Sequence, residues 1–151
     1  VNDAAFGGTA FVSALTRNQA GSDVNVMGPP HAGHYNATVD LLEWILDEHR
    51  DHPYLITSNN TFSYGDVVEN ARTFGAGLLD RGLAHGDRVL IITKDCVEFV
   101  CTFWGAIRAG LVAVPISPAM MPAEFRGIVD DSRAKAVVFD PGSERLVAAA
   151  N

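Results

Sequence analysis

The chain has 151 residues, 48% hydrophobic and 19% charged, enough apolar content for one domain with a buried core. A formal net charge of -7 leaves no basic footprint for sequence-independent binding to nucleic acid or an acidic membrane. No apolar run approaches the roughly 18 residues of a membrane span, and no basic-then-apolar leader opens the chain, so the expectation is a cytoplasmic protein with neither kind of partner.

Residues 1–34 are rich in Gly, Ala, Asn and Ser, and Gly28-Pro29-Pro30 interrupts regular structure, so this stretch reads as an N-terminal extension. Phe11, Val12, Ala14 and Leu15 fit one helical turn within it. His31 and His34 have no Cys and no spaced partner, and no metal is expected there. Residues 35–151 read as a partial α/β domain. Since the first residue is Val1 and the last four are Ala-Ala-Ala-Asn, both ends read as cuts in something longer.

From Thr38 to His49, Leu41, Leu42, Ile45 and Leu46 share one face opposite Asp40, Glu43, Asp47 and Glu48, which predicts an amphipathic helix. Tyr54 to Thr57 and Thr61-Phe62 flank Ser58-Asn59-Asn60, a pair of short strands about a turn. Ser63 with Asp66 predicts a capping box for a long helix whose stripe is Val67, Val68, Ala71, Phe74, Leu78 and Leu79, stopped at Gly82. Val89 to Ile92 is a β-branched apolar run suited to a strand buried on both faces. Asp95 is then expected to cap a helix carrying Val97, Val100, Cys101, Trp104 and Ile107, which Gly110 terminates. Val112 to Ile116 is a second buried strand and Ala136 to Phe139 a third. Between them Pro122 opens a helix with Phe125, Ile128 and Val129 inward, and after the Asp140-Pro141-Gly142 turn Ser143 caps a last one. This alternation predicts an α/β fold, an incomplete parallel sheet flanked by helices.

Motifs for chemistry are sparse. Gly75-Ala76-Gly77 lies inside a helix and follows no strand, so it is no dinucleotide fingerprint. Gly105 and Gly110 have the interval of a phosphate loop, but Leu111 and Val112 stand where Lys and Ser/Thr would be required. Helix packing explains Gly105. No Gly-x-Ser-x-Gly elbow occurs, so no catalytic residue is assigned. Cys96 and Cys101, five apart on a helix, fit neither a disulfide nor a Cys-x-x-Cys site and read as reduced packing residues. His85 and Asp87 read as a solvated loop; Glu124, Asp130 and Asp131 as the wet face of a helix. Lys94 and Asp95, at the carboxyl end of the first buried strand, are the best-placed polar pair for a ligand, with capping and solvent exposure as the plainer reading.

Taken together, Thr61-Phe62-Ser63-Tyr64, Leu79-Asp80-Arg81-Gly82-Leu83, Gly86-Asp87-Arg88-Val89, Phe103-Trp104-Gly105-Ala106-Ile107-Arg108-Ala109-Gly110 and Val114-Pro115 resemble the N-terminal region of adenylate-forming acid-CoA ligases. The resemblance spans roughly residues 35–140. Thr93-Lys94-Asp95, the Phe-Trp-Gly-Ala run and Asp131-Ser132-Arg133-Ala134 look most like the benzoate-CoA ligase branch. It implies a large N-terminal ligase domain and a two-step reaction in which a carboxylic acid and ATP give an acyl-adenylate whose AMP is displaced by the thiol of CoA. Full-length relatives would use ATP, Mg and CoA. The Ser/Thr/Gly-rich phosphate loop, the adenine-binding segment, the ribose-binding Asp and the C-terminal lysine of that family do not occur in these residues, so the chain is expected to be inactive alone and to hold none of those cofactors. Asp95 stands where many relatives have Asn, and Ser117-Pro118 replaces a common Asn-Pro.

Two other readings compete with this one. One is a stand-alone, non-catalytic binding or interaction module that pairs, or self-associates, through an exposed sheet edge. The other is a small α/β enzyme using Lys94, Asp95 and His85 at the strand ends.

Overall fold

A computed structural model describes residues 10–11 and 35–149. Strands β1 (Ala10–Phe11), β2 (Pro53–Thr57) and β3 (Thr61–Ser63) form an antiparallel sheet in that order. Strands β4 (Arg88–Ile92), β5 (Val112–Pro115) and β6 (Ala136–Phe139) form a parallel sheet in the order β5-β4-β6. A five-residue π-helical turn at Val39–Glu43 leads into α1 (Leu46–His49), and the remaining helices are α2 (Tyr64–Asp80), α3 (Val97–Arg108), α4 (Pro122–Ser132) and α5 (Glu144–Ala148). The helix pair α2/α3 lies between the sheets, because α2 meets Leu55 of β2 on one side while α3 meets Val89 and Ile91 of β4 on the other.

Strand β4 carries the parallel sheet. Val89 and Ile91 pack toward α3, whereas Leu90 and Ile92 pack toward Phe125 of α4 and Leu146 of α5, and all four strand residues are wholly buried. Period-two alternation thus covers both faces of β4 with helices, as its uninterrupted apolar sequence requires. The two outer strands are less buried than their sequences suggest. Val112 is 45% and Phe139 42% exposed, since each outer strand lies at an edge of the described sheet.

Helix α2 starts where the capping box was expected. Ser63 Oγ accepts the Asp66 N–H at 3.1 Å, and the Asp66 carboxylate accepts the Ser63 N–H at 2.9 Å and the Ser63 hydroxyl at 2.8 Å; the two bonds to the carboxylate hold it below its ordinary value. The helix closes at Gly82, and α3 at Gly110, both with positive φ. Gly75 and Gly105 meet where α2 crosses α3: a Cβ on Gly105 would lie 2.5 Å from the Ala71 carbonyl oxygen. That crossing is a backbone contact.

Several expectations need correction. Phe11 is in a strand and not a helical turn; Val12, Ala14 and Leu15, like His31 and His34, lie outside the described residues. The stretch from Thr38 to His49 is not one α-helix: the Trp44 N–H reaches the Val39 carbonyl, five residues back, and the widened turn leaves Leu42 and Leu46 on Val68 with Leu41 in solvent. Leu79 is likewise exposed. Asp95 does not cap α3; the cap position belongs to Cys96, whose side chain makes no capping bond, so the acid sits one residue too early to reach the helix. Ser143 does not cap α5 through its side chain either. Its hydroxyl and N–H both donate to Asp140 Oδ1 at 2.9 Å, and Asp140 is the cap of the 3-10 turn Pro141–Ser143.

The polar face of the π-helical turn also differs from expectation. Glu43 is tucked between α2 and α3, bonding Arg72 at 2.8 Å and Arg108. Burial pushes its carboxyl up, but bonds and charge from the two guanidinium groups outweigh burial and leave it below its ordinary value. A carboxyl depressed on folding stabilises the protein above its unfolded pKa, and that contribution is lost as pH falls through the folded one. Thermal melts from pH 7 down to pH 3 should therefore show an acid-side loss of stability that is shallower in Glu43→Gln, which should also melt lower at pH 7. An unchanged acid limb would show that Glu43 contributes nothing.

Candidate functional site

Helix α3 covers one face of the parallel sheet and α4 the other: the crossover through α3 carries the chain from β4 to β5 on one side, and the crossover through α4 carries it from β5 back past β4 to β6 on the other. Such a switch opens a crevice beyond the carboxyl ends of the strands. A cleft of about 1180 Å³ lies there. Its walls are the exits of the three parallel strands, at Thr93–Cys96, Pro115–Pro118 and Val138–Gly142, together with Phe74, Phe99 and Thr102.

One carboxylate shapes this rim. Asp140 Oδ2 accepts the Lys94 N–H at 2.9 Å while Oδ1 holds Ser143, which ties the end of β4 to the turn after β6. Burial pushes the Asp140 carboxyl up, yet the bonds from Lys94 and Ser143 prevail and keep it below its ordinary value. The sequence marked this residue only as the start of an Asp-Pro-Gly turn. Its partner at Lys94 is 46 positions away, and no local pattern announces the link.

The polar groups suit binding better than bond-making. Thr93 lines the cleft, is nine-tenths buried, and its hydroxyl has no hydrogen-bond partner. No side chain caps the start of α3, so N–H groups at a helix N-terminus and the exposed Lys94 offer positive potential, opposed by Asp95 and Glu98. Cys96 also lines the cleft, but burial pushes its thiol up and keeps it protonated at neutral pH, and Cys101 is pushed up to about 12 by burial against α2. Neither is an activated nucleophile.

Lys94 and Asp95 are brought into the cleft; His85 is not. The His85 ring packs over Gly110, at the amino end of β4, so the length of the strand, about 16 Å, separates it from Lys94. Asp87 accepts the Ala84 N–H at 2.8 Å in the same turn. The constellation of Lys94, Asp95 and His85 is therefore not assembled, and the small-enzyme site expected from these three residues does not form. Glu124 accepts the Met121 N–H at the start of α4, as a first-turn acid should.

A parallel sheet covered by helices on both faces, with an open crevice at its carboxyl edge, defines a doubly wound α/β unit. The chain belongs to the AMP-binding enzyme family, whose model matches residues 42–151. It is 33% identical over 104 residues to a 4-hydroxybenzoate–CoA/benzoate–CoA ligase of Rhodopseudomonas palustris, covering 68% of this chain and 19% of that ligase. A benzoate CoA ligase from Burkholderia xenovorans superposes with a TM-score of 0.73 at 26% identity, over 78% of this chain and 24% of the other. An anthranilate CoA ligase in complex with anthranoyl-AMP superposes with a TM-score of 0.72 at 29% identity, over 76% and 22%. The chain thus spans about a fifth of the length of the Rhodopseudomonas ligase.

Among the described residues no group of three His, Cys, Asp or Glu side chains is placed to hold a metal ion, and no glycine-rich loop joins a strand to a helix N-terminus. No described helix is long and apolar enough to cross a membrane.

Proposed function

We propose that this chain forms the N-terminal part of an ATP-dependent acid-CoA ligase acting on an aromatic carboxylic acid, and that it is catalytically silent by itself. The observation that carries the reading is the family match across residues 42–151. The benzoate and anthranilate ligases among its relatives support an aromatic acid. In this role residues 35–149 act as a scaffold: the β4-centred sheet and the α2/α3 pair support segments that would contact ATP, Mg and CoA. A cytoplasmic location agrees with CoA as co-substrate.

The test is ATP–pyrophosphate exchange with benzoate and ring-substituted benzoates on three proteins. These are the 151-residue chain, the Rhodopseudomonas ligase, and that ligase with its matching segment replaced by residues 35–149. No exchange is expected from the first. The third should retain exchange within about tenfold of its parent, roughly 1.4 kcal/mol in the barrier. Exchange by the isolated chain would overturn the silent-scaffold reading, and a folded graft without exchange would leave the chain as a free-standing interaction module.

A further inference from the structure

Outside the cleft, one pair of metal-ligating side chains is held close together. His49, the last residue of α1, and His52, just before β2, bring their Nδ1 atoms to 2.9 Å, with ring centroids 4.8 Å apart and planes tilted by 46°. Two imidazole nitrogens each about 2.05 Å from one ion would, at that separation, subtend an angle of about 90° at it. Right-angled nitrogen ligation is the preference of tetragonal Cu²⁺ and Ni²⁺. We propose that His49 and His52 form a bidentate, solvent-open site for a divalent transition-metal ion of the Cu²⁺ or Ni²⁺ class.

Three observations support a built site. First, the connecting backbone is fixed: the His52 N–H donates to the His49 carbonyl at 3.0 Å, the Tyr64 N–H to the His52 carbonyl at 3.1 Å, and the Gly65 N–H to the Arg50 carbonyl at 2.9 Å. Second, Gly65 is a close fit there, because a Cβ on it would lie 3.0 Å from Arg50 Cγ and 3.2 Å from the Arg50 carbonyl oxygen. The backbone that carries both imidazoles is thus held by the start of α2, and less backbone ordering entropy opposes chelation. Third, the loop is acidic, with Asp47, Glu48 and Asp51 against Arg50, and Glu48 lies 4.0 Å from His49 Nε2, so the local field favours a cation.

The proton balance is simple. Without metal, one Nδ1 carries a hydrogen and donates to the other. On binding, that hydrogen moves to Nε2 of the same ring, both Nδ1 lone pairs face the ion, and water fills its remaining positions. Among the described residues no third side-chain ligand joins them, which leaves those positions open to exchange.

The test is Cu²⁺ and Ni²⁺ titration of the chain, stripped with chelator, by calorimetry, with the Cu²⁺ electron paramagnetic resonance spectrum recorded at one equivalent. Wild-type protein should bind one ion with a two-nitrogen signature. Either His49→Ala or His52→Ala should weaken binding about a hundredfold, because the second ligation step loses its intramolecular advantage. His31→Ala/His34→Ala and His85→Ala should leave it unchanged. Equal binding by His49→Ala/His52→Ala and wild type, a one-nitrogen spectrum, or loss only in His31→Ala/His34→Ala would each overturn the proposal. The spectrum of the wild-type protein decides without reference to any variant's folding.

Discussion

Gly105→Ala is expected to destabilise the chain by about 1–3 kcal/mol, whereas Gly127→Ala, also inside a helix, is expected to stabilise it by about 0.5–1 kcal/mol. Helix propensity alone favours Ala over Gly by about 1 kcal/mol at both positions. Packing decides the sign. A Cβ on Gly105 would sit 2.5 Å from the Ala71 carbonyl oxygen, 3.0 Å from the Gly75 nitrogen and 3.1 Å from Phe74 Cβ, mostly backbone atoms of α2 that cannot swing aside. Gly75 meets the same wall from the other side, at 2.6 Å from the Gly105 oxygen. Gly127, on α4, faces open space. Urea unfolding of the two variants and wild type checks the contrast; equal shifts in one direction would mean that α2 and α3 do not touch through their backbones.

Phe125→Ala is expected to cost about 3–5 kcal/mol, enough to lower the melting temperature by on the order of 10–20 °C. Phe125 is fully buried and packs with Leu90 and Ile92 of β4, Ile116 and Leu146, so it is the main plug between α4 and the strand that carries the sheet. Truncation leaves a cavity lined by short aliphatic groups fixed to a strand, which cannot collapse easily. Against a domain stability of about 5–15 kcal/mol this is a large fraction. Phe125→Met keeps more of the volume and should lose under about 1.5 kcal/mol. Met121→Ala, four residues earlier and 65% exposed, should change stability by under about 0.5 kcal/mol. Similar melting of Phe125→Ala and Met121→Ala would refute the plug.

What could be read from the sequence was what neighbours in sequence decide. The capping box of Ser63 and Asp66, the stops at Gly82 and Gly110, and the apolar run of β4 each lie within one element, and each stands where expected. Close helix packing was expected at Gly105, but its partner on α2 was not identified. Links across distance were not visible. Glu43 reads as a surface acid because its arginines are 29 and 65 positions away, and Asp140 reads as a turn residue because Lys94 is 46 away. Asp95 shows a different failure: cap preference picks the residue type, but backbone geometry picks the position, and the strand exit places Cys96 there. The cleft was anticipated only at Lys94 and Asp95, as it needs three strand ends, and the ligase relationship came from the ensemble of short motifs and not from any site.

The strand order β5-β4-β6 has a consequence for how the chain is made. Synthesis delivers the central strand first, then the partner for one of its edges, and only later the other edge and the α4 cover. At about 5–20 residues per second, the ribosome needs roughly 1–5 s to pass from Ile116 to Phe139. During that interval one edge of β4 has no partner, and Leu90 and Ile92 lack the Leu146 part of their cover. The nascent chain is then at its most exposed to mispairing, and slower decoding across this stretch should lower soluble yield in cells without changing the melting temperature of the protein that survives.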